Sequence, residues 1–355
     1  MAEKSSILAV VGCVALASGW AQTATPAVRT IPVVVHDKHG KPLATVDKAD
    51  LDLQIDSQPA AIAKLESAAQ KPLFLGLVID TGKRQEQVVP EAKAPEKTFF
   101  GAYAGKSGDQ EFVIHFDRQI ELMQDLTADS KLLNSAIDEL QPANSEDSDD
   151  TSSRGEDDDR AQRPAANGER LYDAVFLAAD EILRKPEGRK VVVVISDGVD
   201  RGSKESFASA VEAAQRSGVA VYTVYVPGEQ ESPASQRATD TQGGQQRRNG
   251  GIGWPGSPGG SPAPSGRQPK REPVVHQDGR KILLEMAQKT GGAMFEAKKK
   301  DDLGGVLNDI TQYLQDENSL TFNLDPQMTG DFHRIALTSR GSDKVQAPQA
   351  FYTGH

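Results

Sequence analysis

Residues 190–199 read KVVVVISDGV, and this stretch decides the fold class. The apolar run has no polar face, which is typical of an interior strand of a parallel sheet covered on both sides. It ends in Ser196, Asp197 and Gly198, a polar group that indicates a turn. A parallel sheet needs a crossover after each strand, so the flanking sequence should alternate between strands and helices.

The flanking sequence has this alternation. Strand patterns lie at 73–79, 111–116, 219–226 and 293–295, and helical patterns lie at 130–140, 170–185, 205–217, 279–289 and 301–315. We therefore predict an α/β domain over residues 72–316 with a doubly wound, mostly parallel sheet. Ligands of such sheets bind beyond the carboxyl ends of the strands.

Both ends of the chain have a different pattern. Residues 27–68 and 318–355 contain short strand patterns bounded by turn residues, and no helical pattern. We expect the two segments to pair with each other and to form a small β-rich domain, a sheet or a sandwich, beside the α/β domain.

Residues 1–21 are typical of a secretory signal peptide. Lys4 precedes a short apolar run, and small residues precede the expected cleavage point before Gln22. The run is too short to span a bilayer, which takes about 20 residues. A lipoprotein signal around Cys13 is the alternative. We predict export, to the periplasm or out of the cell, and no membrane span in the mature chain.

Two internal segments have few apolar side chains. Residues 141–168 contain eight acidic and three basic residues, and residues 228–273 are rich in Gly, Pro, Ser and Gln. Neither segment can bury enough apolar surface to offset the entropy cost of ordering. We predict both to be mobile insertions.

Charge and cysteine content exclude several classes of function. The net charge of -11 argues against nucleic acid as a partner, which would require a basic face. The single cysteine excludes a disulfide within the chain and a cysteine-based zinc site. The loop after the first α/β strand, at Asp80, lacks the glycine-rich pattern of a dinucleotide site, and no phosphate-binding P-loop is present.

Polar loops follow the predicted strands at the expected ligand edge. They are Asp80-Thr81-Gly82-Lys83-Arg84, Asn167-Gly168-Glu169-Arg170 and Ser196-Asp197-Gly198-Val199-Asp200. With Leu171-Tyr172-Asp173-Ala174 and Thr290-Gly291-Gly292, the chain resembles the von Willebrand factor type A family, and more closely its exported, Acidobacteria-type group. The flanking β segments resemble that group as well, so the resemblance covers nearly the whole mature chain.

The resemblance implies a metal-ion-dependent adhesion site with Asp80, Glu169 and Asp197 at the family's ligand positions. The family motifs are D-x-S-x-S after the first strand, a threonine before the L-Y-D-A helix and S-D-G after the central strand. Here Gly82 and Arg84 replace the two serines, and Glu169 replaces the threonine. Magnesium requires an octahedral set of oxygen ligands, and these replacements remove three hydroxyl groups.

We interpret the site as a degenerate metal site in which Lys83 or Arg84 occupies the place of the cation. That side chain would neutralise Asp80 and Asp197 through charge-assisted hydrogen bonds. Our first prediction is that the site binds no cofactor. Magnesium or another divalent cation is the alternative, held with the help of Glu169 if both basic side chains point to solvent. The aspartates could also simply cap the loops that follow them.

The function predicted from these features is that of a non-catalytic, adhesion-type protein-binding module. Thr81, Lys83, Arg84 and Asp200 form the predicted rim of its binding face, and a carboxylate of the protein partner would pair with Arg84. A structural protein with an internal salt-bridge cluster is one alternative. An aspartic-protease-like hydrolase is another, because Asp80-Thr81-Gly82 reads D-T-G, but such enzymes need a second carboxylate loop.

Overall fold

The structure is a computed structural model that describes residues 28–86, 88–103, 108–143, 168–228, 278–298, 302–325, 328 and 330–353. The predicted signal peptide lies outside the described residues. So do residues 144–167 and 229–273, which make up most of the two predicted insertions.

The described residues form two groups of strands and a set of helices. In chain order, strands β1 to β14 are Val28–His36, Leu51–Ile55, Gln58–Ala60, Ile62–Ser67, Leu73–Asp80, Gln110–Phe116, Ile120–Thr127, Arg189–Ser196, Val219–Tyr225, Met294–Glu296, Asn318–Asn323, Phe332–Ser339, Lys344–Gln346 and Ala350–Tyr352. Helices α1 to α6 are Val88–Gly101, Ser130–Glu139, Leu171–Phe176, Phe207–Ser217, Gly279–Thr290 and Leu303–Gln315. A π-helical stretch, Leu177–Ile182, continues α3. None of the described helices is long and apolar enough to cross a membrane.

The central sheet has six strands in the order β10-β9-β8-β5-β6-β7. Neighbouring strands are parallel from β10 to β6, and β7 alone is antiparallel to its neighbour. The predicted doubly wound, mostly parallel α/β sheet is therefore confirmed. Strand β7 was not predicted from the sequence, and it closes one edge of the sheet.

The alternation of side chains along β8 explains why helices cover both faces. Val191 and Val193 pack into one apolar cluster with residues of α1, α2 and α6. Val192 and Val194 pack into a second cluster with residues of α3, α4 and α5. All four valines are buried. A strand with two apolar faces is stable only in such a three-layer arrangement.

The remaining strands form two four-stranded sheets, β13-β1-β11-β4 and β14-β12-β2-β3. Both sheets combine strands from the two ends of the described chain, through the antiparallel pairs β1–β11 and β2–β12. Their inner faces share one core that includes Ile31, Phe322 and Phe351. This is a β-sandwich, and the α/β domain is inserted between its strands β4 and β11.

Candidate functional site

The candidate site lies at the carboxyl edge of the central sheet, where β5 and β8 end side by side. Ile79 is paired with Ile195 in the parallel register, so Asp80 and Ser196 are the next residues on neighbouring strands. Asp197 follows directly. Glu169 precedes α3, and a turn from Lys83 to Gln85 follows β5.

Asp80 is buried beneath this edge. Its Oδ2 accepts a hydrogen bond from the Oγ of Ser196 at 2.8 Å, and its Oδ1 accepts one from the backbone N–H of Gly82 at 2.9 Å. Burial, reinforced by the nearby charge of Asp197, raises the pKa of Asp80 to about 8. The side chain therefore keeps its proton at pH 7 and is neutral.

Asp197 is paired with Arg84. The Nε of Arg84 lies 2.6 Å from Oδ2 of Asp197, while Oδ1 of the same carboxylate accepts a hydrogen bond from the backbone N–H of Val199 at 3.0 Å. The Arg84–Asp197 contact is an ion pair without the alignment of a hydrogen bond. The Asp197 side chain is 3% exposed and that of Arg84 is 33% exposed, so the pair reaches from the interior to the surface.

Glu169 completes the cluster from the side of α3. Its Oε2 lies 3.5 Å from Nη1 of Arg201, an exposed cation in the loop after β8. Burial raises the pKa of Glu169. A Cβ atom added at Gly82 would lie 3.0 Å from Oδ1 of Asp80 and 3.1 Å from Cγ of Glu169. Asp80 and Glu169 therefore crowd the space that a serine side chain at position 82 would need.

The residues as they stand do not fit a divalent cation. Gly82 supplies no side-chain oxygen, Ser196 donates its hydroxyl proton to Asp80, and Arg84 contacts the inward-facing oxygen of Asp197. Within the described ranges, no three His, Cys, Asp or Glu side chains are placed to hold a metal ion. Glu169 was predicted to restore metal binding only if both basic side chains point to solvent. Lys83 is exposed, but Arg84 is only partly exposed and contacts Asp197.

The rim residues predicted from the sequence occupy different environments. Lys83 is exposed and Arg84 is partly exposed at the edge. Thr81 is only 1% exposed, and its hydroxyl contacts Nδ1 of His115 at 3.0 Å and donates to the backbone oxygen of Phe116. The prediction that Thr81 belongs to the rim is therefore wrong, because a partner has no access to it.

Asp200 has a local structural contact instead of a free carboxylate. Its Oδ2 accepts hydrogen bonds from the backbone N–H of Tyr172 at 3.2 Å and from the Oγ of Ser203 at 2.5 Å. Asp200 therefore ties the loop after β8 to the first turn of α3. Its assignment to the partner-binding rim needs correction, since both of its carboxylate oxygens accept hydrogen bonds within the chain.

Two residues of the site were missed by sequence reasoning. Arg201 was not predicted to reach Glu169, although it follows Asp200 directly. Gly228 lies over the ion pair, so that an added Cβ would be 2.6 Å from Oδ2 of Asp197 and 2.9 Å from Nε of Arg84. The only sequence signal for Gly228 is its place just after β9, at the same edge of the sheet.

Comparison with known proteins adds a likeness of fold. No protein-family model matches the chain, and no curated protein matches it. Among solved structures, proximal thread matrix protein 1 from the mussel byssus is 14% identical, with 74% of this chain and 51% of that chain covered and a TM-score of 0.46. The chain thus spans about half the length of the mussel protein, which has also been solved with a zinc-occupied MIDAS motif.

Two shorter structures are similar over nearly their whole length. An aerotolerance-related membrane protein from Bacteroides fragilis is 14% identical, with 66% of this chain and 96% of that chain covered and a TM-score of 0.39. The SpRpn10 VWA domain is 12% identical, with 65% and 93% covered and a TM-score of 0.36. These scores are below 0.5, so the fold assignment depends on the strand order and connections of the chain itself. On that evidence, the α/β fold predicted from the resemblance to the von Willebrand factor type A family is confirmed.

Proposed function

We propose that this chain is an exported, non-catalytic protein-binding module in which Arg84 pairs with a carboxylate of the partner without a bridging metal ion. The observation that carries the proposal is the position of the Arg84 guanidinium. It lies at the ligand edge of the sheet, 2.6 Å from Asp197 and partly open to solvent.

The geometry of Arg84 suits it to this role. Its Nε is buried against Asp197 without a hydrogen-bond partner among the residues that the structure describes, while the side chain as a whole is 33% exposed. A guanidinium fork can bind a carboxylate through two parallel hydrogen bonds. Because Asp197 fixes one side of the guanidinium, less side-chain entropy is lost when a partner binds the other side.

The burial of the other polar groups supports a non-catalytic role. A buried carboxyl group with a pKa of about 8, such as Asp80, is a feature that active sites also have. Asp80 is only 3% exposed, however, and both its oxygens accept hydrogen bonds within the chain. A substrate therefore has no path to Asp80, and Thr81 beside it is equally buried.

A structural role is the second candidate function, and Gly228 is the observation that favours it. The backbone of this residue covers the Arg84–Asp197 pair at close range. If the pair only closes the edge of the sheet, its charges would stabilise the fold and would contribute nothing to partner binding.

Capture from an envelope extract of the source cells, in the presence of EDTA, separates the two candidates. The immobilised chain would be compared with Arg84→Glu and with Lys131→Glu, a matched charge reversal at an exposed position on α2. We expect a specific partner to bind the parent chain and Lys131→Glu but not Arg84→Glu. Equal capture by all three proteins, with only the thermal stability of Arg84→Glu lowered, would favour the structural role.

Export has its own test, because residues 1–21 are outside the described structure. N-terminal sequencing of the protein recovered from its source cells should begin at Gln22. A chain recovered from the cytoplasm with Met1 or Ala2 in place would contradict export.

A further inference from the structure

Two arginines at the carboxyl edge of the sheet are placed in the same way. Arg84 contacts Asp197, with 2.6 Å between Nε and Oδ2, and Arg201 contacts Glu169, with 3.5 Å between Nη1 and Oε2. In each pair the acid lies inside and the arginine lies toward solvent. The side chains of the acids are 3% and 11% exposed, and those of the arginines are 33% and 52% exposed. A partner that approaches either pair therefore meets a guanidinium group before it meets the carboxylate.

The position of Arg201 beside Glu169 is fixed by the backbone. The backbone N–H groups of Arg201 and Gly202 both donate to the backbone oxygen of Glu169, at 3.0 and 3.1 Å. Gly168 packs closely on the same loop, because a Cβ at this position would overlap the Cβ of Arg201. The side chain of Arg201 therefore starts from a fixed point, and less entropy is lost when its guanidinium binds a partner.

The two pairs belong to one cluster. Arg84 follows β5 and Arg201 follows β8, and these strands are neighbours in the central sheet. Gly82, two residues before Arg84, lies directly against Glu169, since an added Cβ would be 3.1 Å from its Cγ. Burial raises the pKa of Glu169, and the charges of Arg201 and Arg84 both oppose that rise. Glu169 thus lies between the two arginines, and one partner segment can reach both of them.

Neither contact uses the full capacity of its guanidinium group, which carries five N–H donors in a planar fork. Arg84 contacts Asp197 through Nε, and neither atom of this contact has a hydrogen-bond partner among the described residues. The same holds for Oε2 of Glu169, the atom that faces Arg201. Both pairs are contacts between charges without hydrogen-bond alignment. A partner carboxylate that aligns with either fork therefore gains hydrogen bonds that the inner acid does not make.

We propose that the protein partner presents two carboxylates close together in its sequence, one for Arg84 and one for Arg201. This inference rests on the proposed function and extends it from a single carboxylate to an acidic pair. A single partly exposed ion pair contributes little to affinity, but two in one segment act together, because the second forms within the complex that the first has made. Long-range attraction cannot replace these contacts, since the chain carries a net charge of -11 and repels acidic partners as a whole.

NMR titration of the full chain with short peptides, in EDTA and at constant ionic strength, tests the proposal. The probes are glycine-flanked, end-blocked peptides containing Asp-Asp, Asp-Gly-Asp or Asp-Gly-Gly-Asp, each with two versions in which one Asp is replaced by Asn. We expect one diacid to bind about fivefold more tightly than either of its single-acid versions and to shift the Nε–H signals of both Arg84 and Arg201. Equal affinity of every diacid and its single-acid versions would overturn the inference and leave the proposed function intact. Absence of binding by every diacid would also overturn it, and capture from the envelope extract would still decide the proposed function.

Variants assign the second carboxylate to Arg201. Arg201→Gln should abolish the advantage of the diacid while single-acid peptides still bind through Arg84, and Lys131→Gln, a matched change on α2, should preserve the advantage. Arg201→Lys should keep only part of it, because an ammonium group has the charge but not the planar fork. Circular dichroism of each variant confirms folding. A preference for the diacid that persists in folded Arg201→Gln would show that the second carboxylate binds elsewhere and would overturn the inference.

Discussion

The Nε of Arg84 lies 2.6 Å from Oδ2 of Asp197, although the two residues follow different strands, β5 and β8. A guanidinium is always charged at physiological pH, so this contact puts a permanent positive charge at the edge of the sheet. Asp80 beside it is neutral because burial raises its pKa to about 8. Under the proposed function, the site would therefore balance its charges without a metal ion.

Restoring the family motif at all three replaced positions should restore metal binding. Gly82→Ser with Arg84→Ser adds two hydroxyl groups and removes the cation, yet the new Cβ at position 82 would lie 3.1 Å from Cγ of Glu169. Adding Glu169→Thr removes that obstruction. We expect millimolar magnesium to stabilise the triple variant by about 2–3 kcal/mol at a hundredfold excess over its Kd.

Thermal unfolding with EDTA and with magnesium measures this effect. The parent chain, which keeps the Arg84–Asp197 pair, is the control and should not respond to magnesium. A magnesium-dependent rise in the unfolding midpoint of the parent chain would contradict the ion-pair interpretation of Arg84 and Asp197.

The central sheet could be predicted because the residues of its inner strands are almost all apolar. The valines of β8 are apolar at consecutive positions, which only an interior strand requires. Strand β7 could not be predicted in the same way. Its sequence IELMQDLT lies at the edge of the sheet, where most side chains are partly exposed, so no clean alternation marks it.

The sequence predicts which loops form the site, but it predicts only some of the contacts between their side chains. Asp80 and Asp197 are placed by the strands they follow, and parallel strands bring such positions together. Whether Lys83 or Arg84 contacts Asp197 depends on the turn after β5, in which Lys83 is exposed. Contacts such as that of Arg201 with Glu169 depend on loop conformations that no local pattern specifies.

Asp200 should behave as a structural residue and not as a binding residue. Asp200→Ala removes the acceptor for the backbone N–H of Tyr172 in the first turn of α3, and loss of such a cap costs about 1–2 kcal/mol. Urea unfolding measures the cost, with Asp309→Ala on the exposed face of α6 as a control expected to stay within about 0.5 kcal/mol. Partner capture should be unchanged in Asp200→Ala. Loss of capture in stably folded Asp200→Ala would return this residue to the binding rim.

Stability should fall as the pH rises from 5 to 8. Burial raises the pKa of Glu96 from 4.5 to about 8 and that of Glu111 from 4.5 to about 7. A carboxyl group whose pKa is higher in the folded state stabilises the fold below its unfolded pKa, and this contribution is lost as the pH rises through its folded pKa. Between the unfolded and the folded pKa of each group, the free energy of unfolding falls by about 1.4 kcal/mol per pH unit as the pH rises.

Glu96→Gln isolates one of these groups. The variant cannot ionise, so its free energy of unfolding should fall less steeply than that of the parent between pH 5 and pH 8. Urea unfolding at four pH values in this range measures both slopes, and Glu139→Gln at an exposed position of α2 is the matched control. Identical slopes for the parent and Glu96→Gln would mean that Glu96 titrates normally.

The buried ion pair between Arg189 and Glu317 should show strong coupling. Arg189 begins β8 and Glu317 precedes β11, so the pair joins the α/β domain to the sandwich. The side chains are 7% and 3% exposed, and removing one partner leaves the other charge buried and unpaired. Arg189→Met should therefore cost about 3–5 kcal/mol, whereas Arg189→Met with Glu317→Met should cost less than that single variant.

A double-mutant cycle measured by urea unfolding gives the coupling energy of the pair. Removing both charges leaves no uncompensated ion, and the two methionine side chains can fill much of the vacated volume, which is why the double variant should recover stability. Additive losses would mean that solvent reaches the pair and screens it.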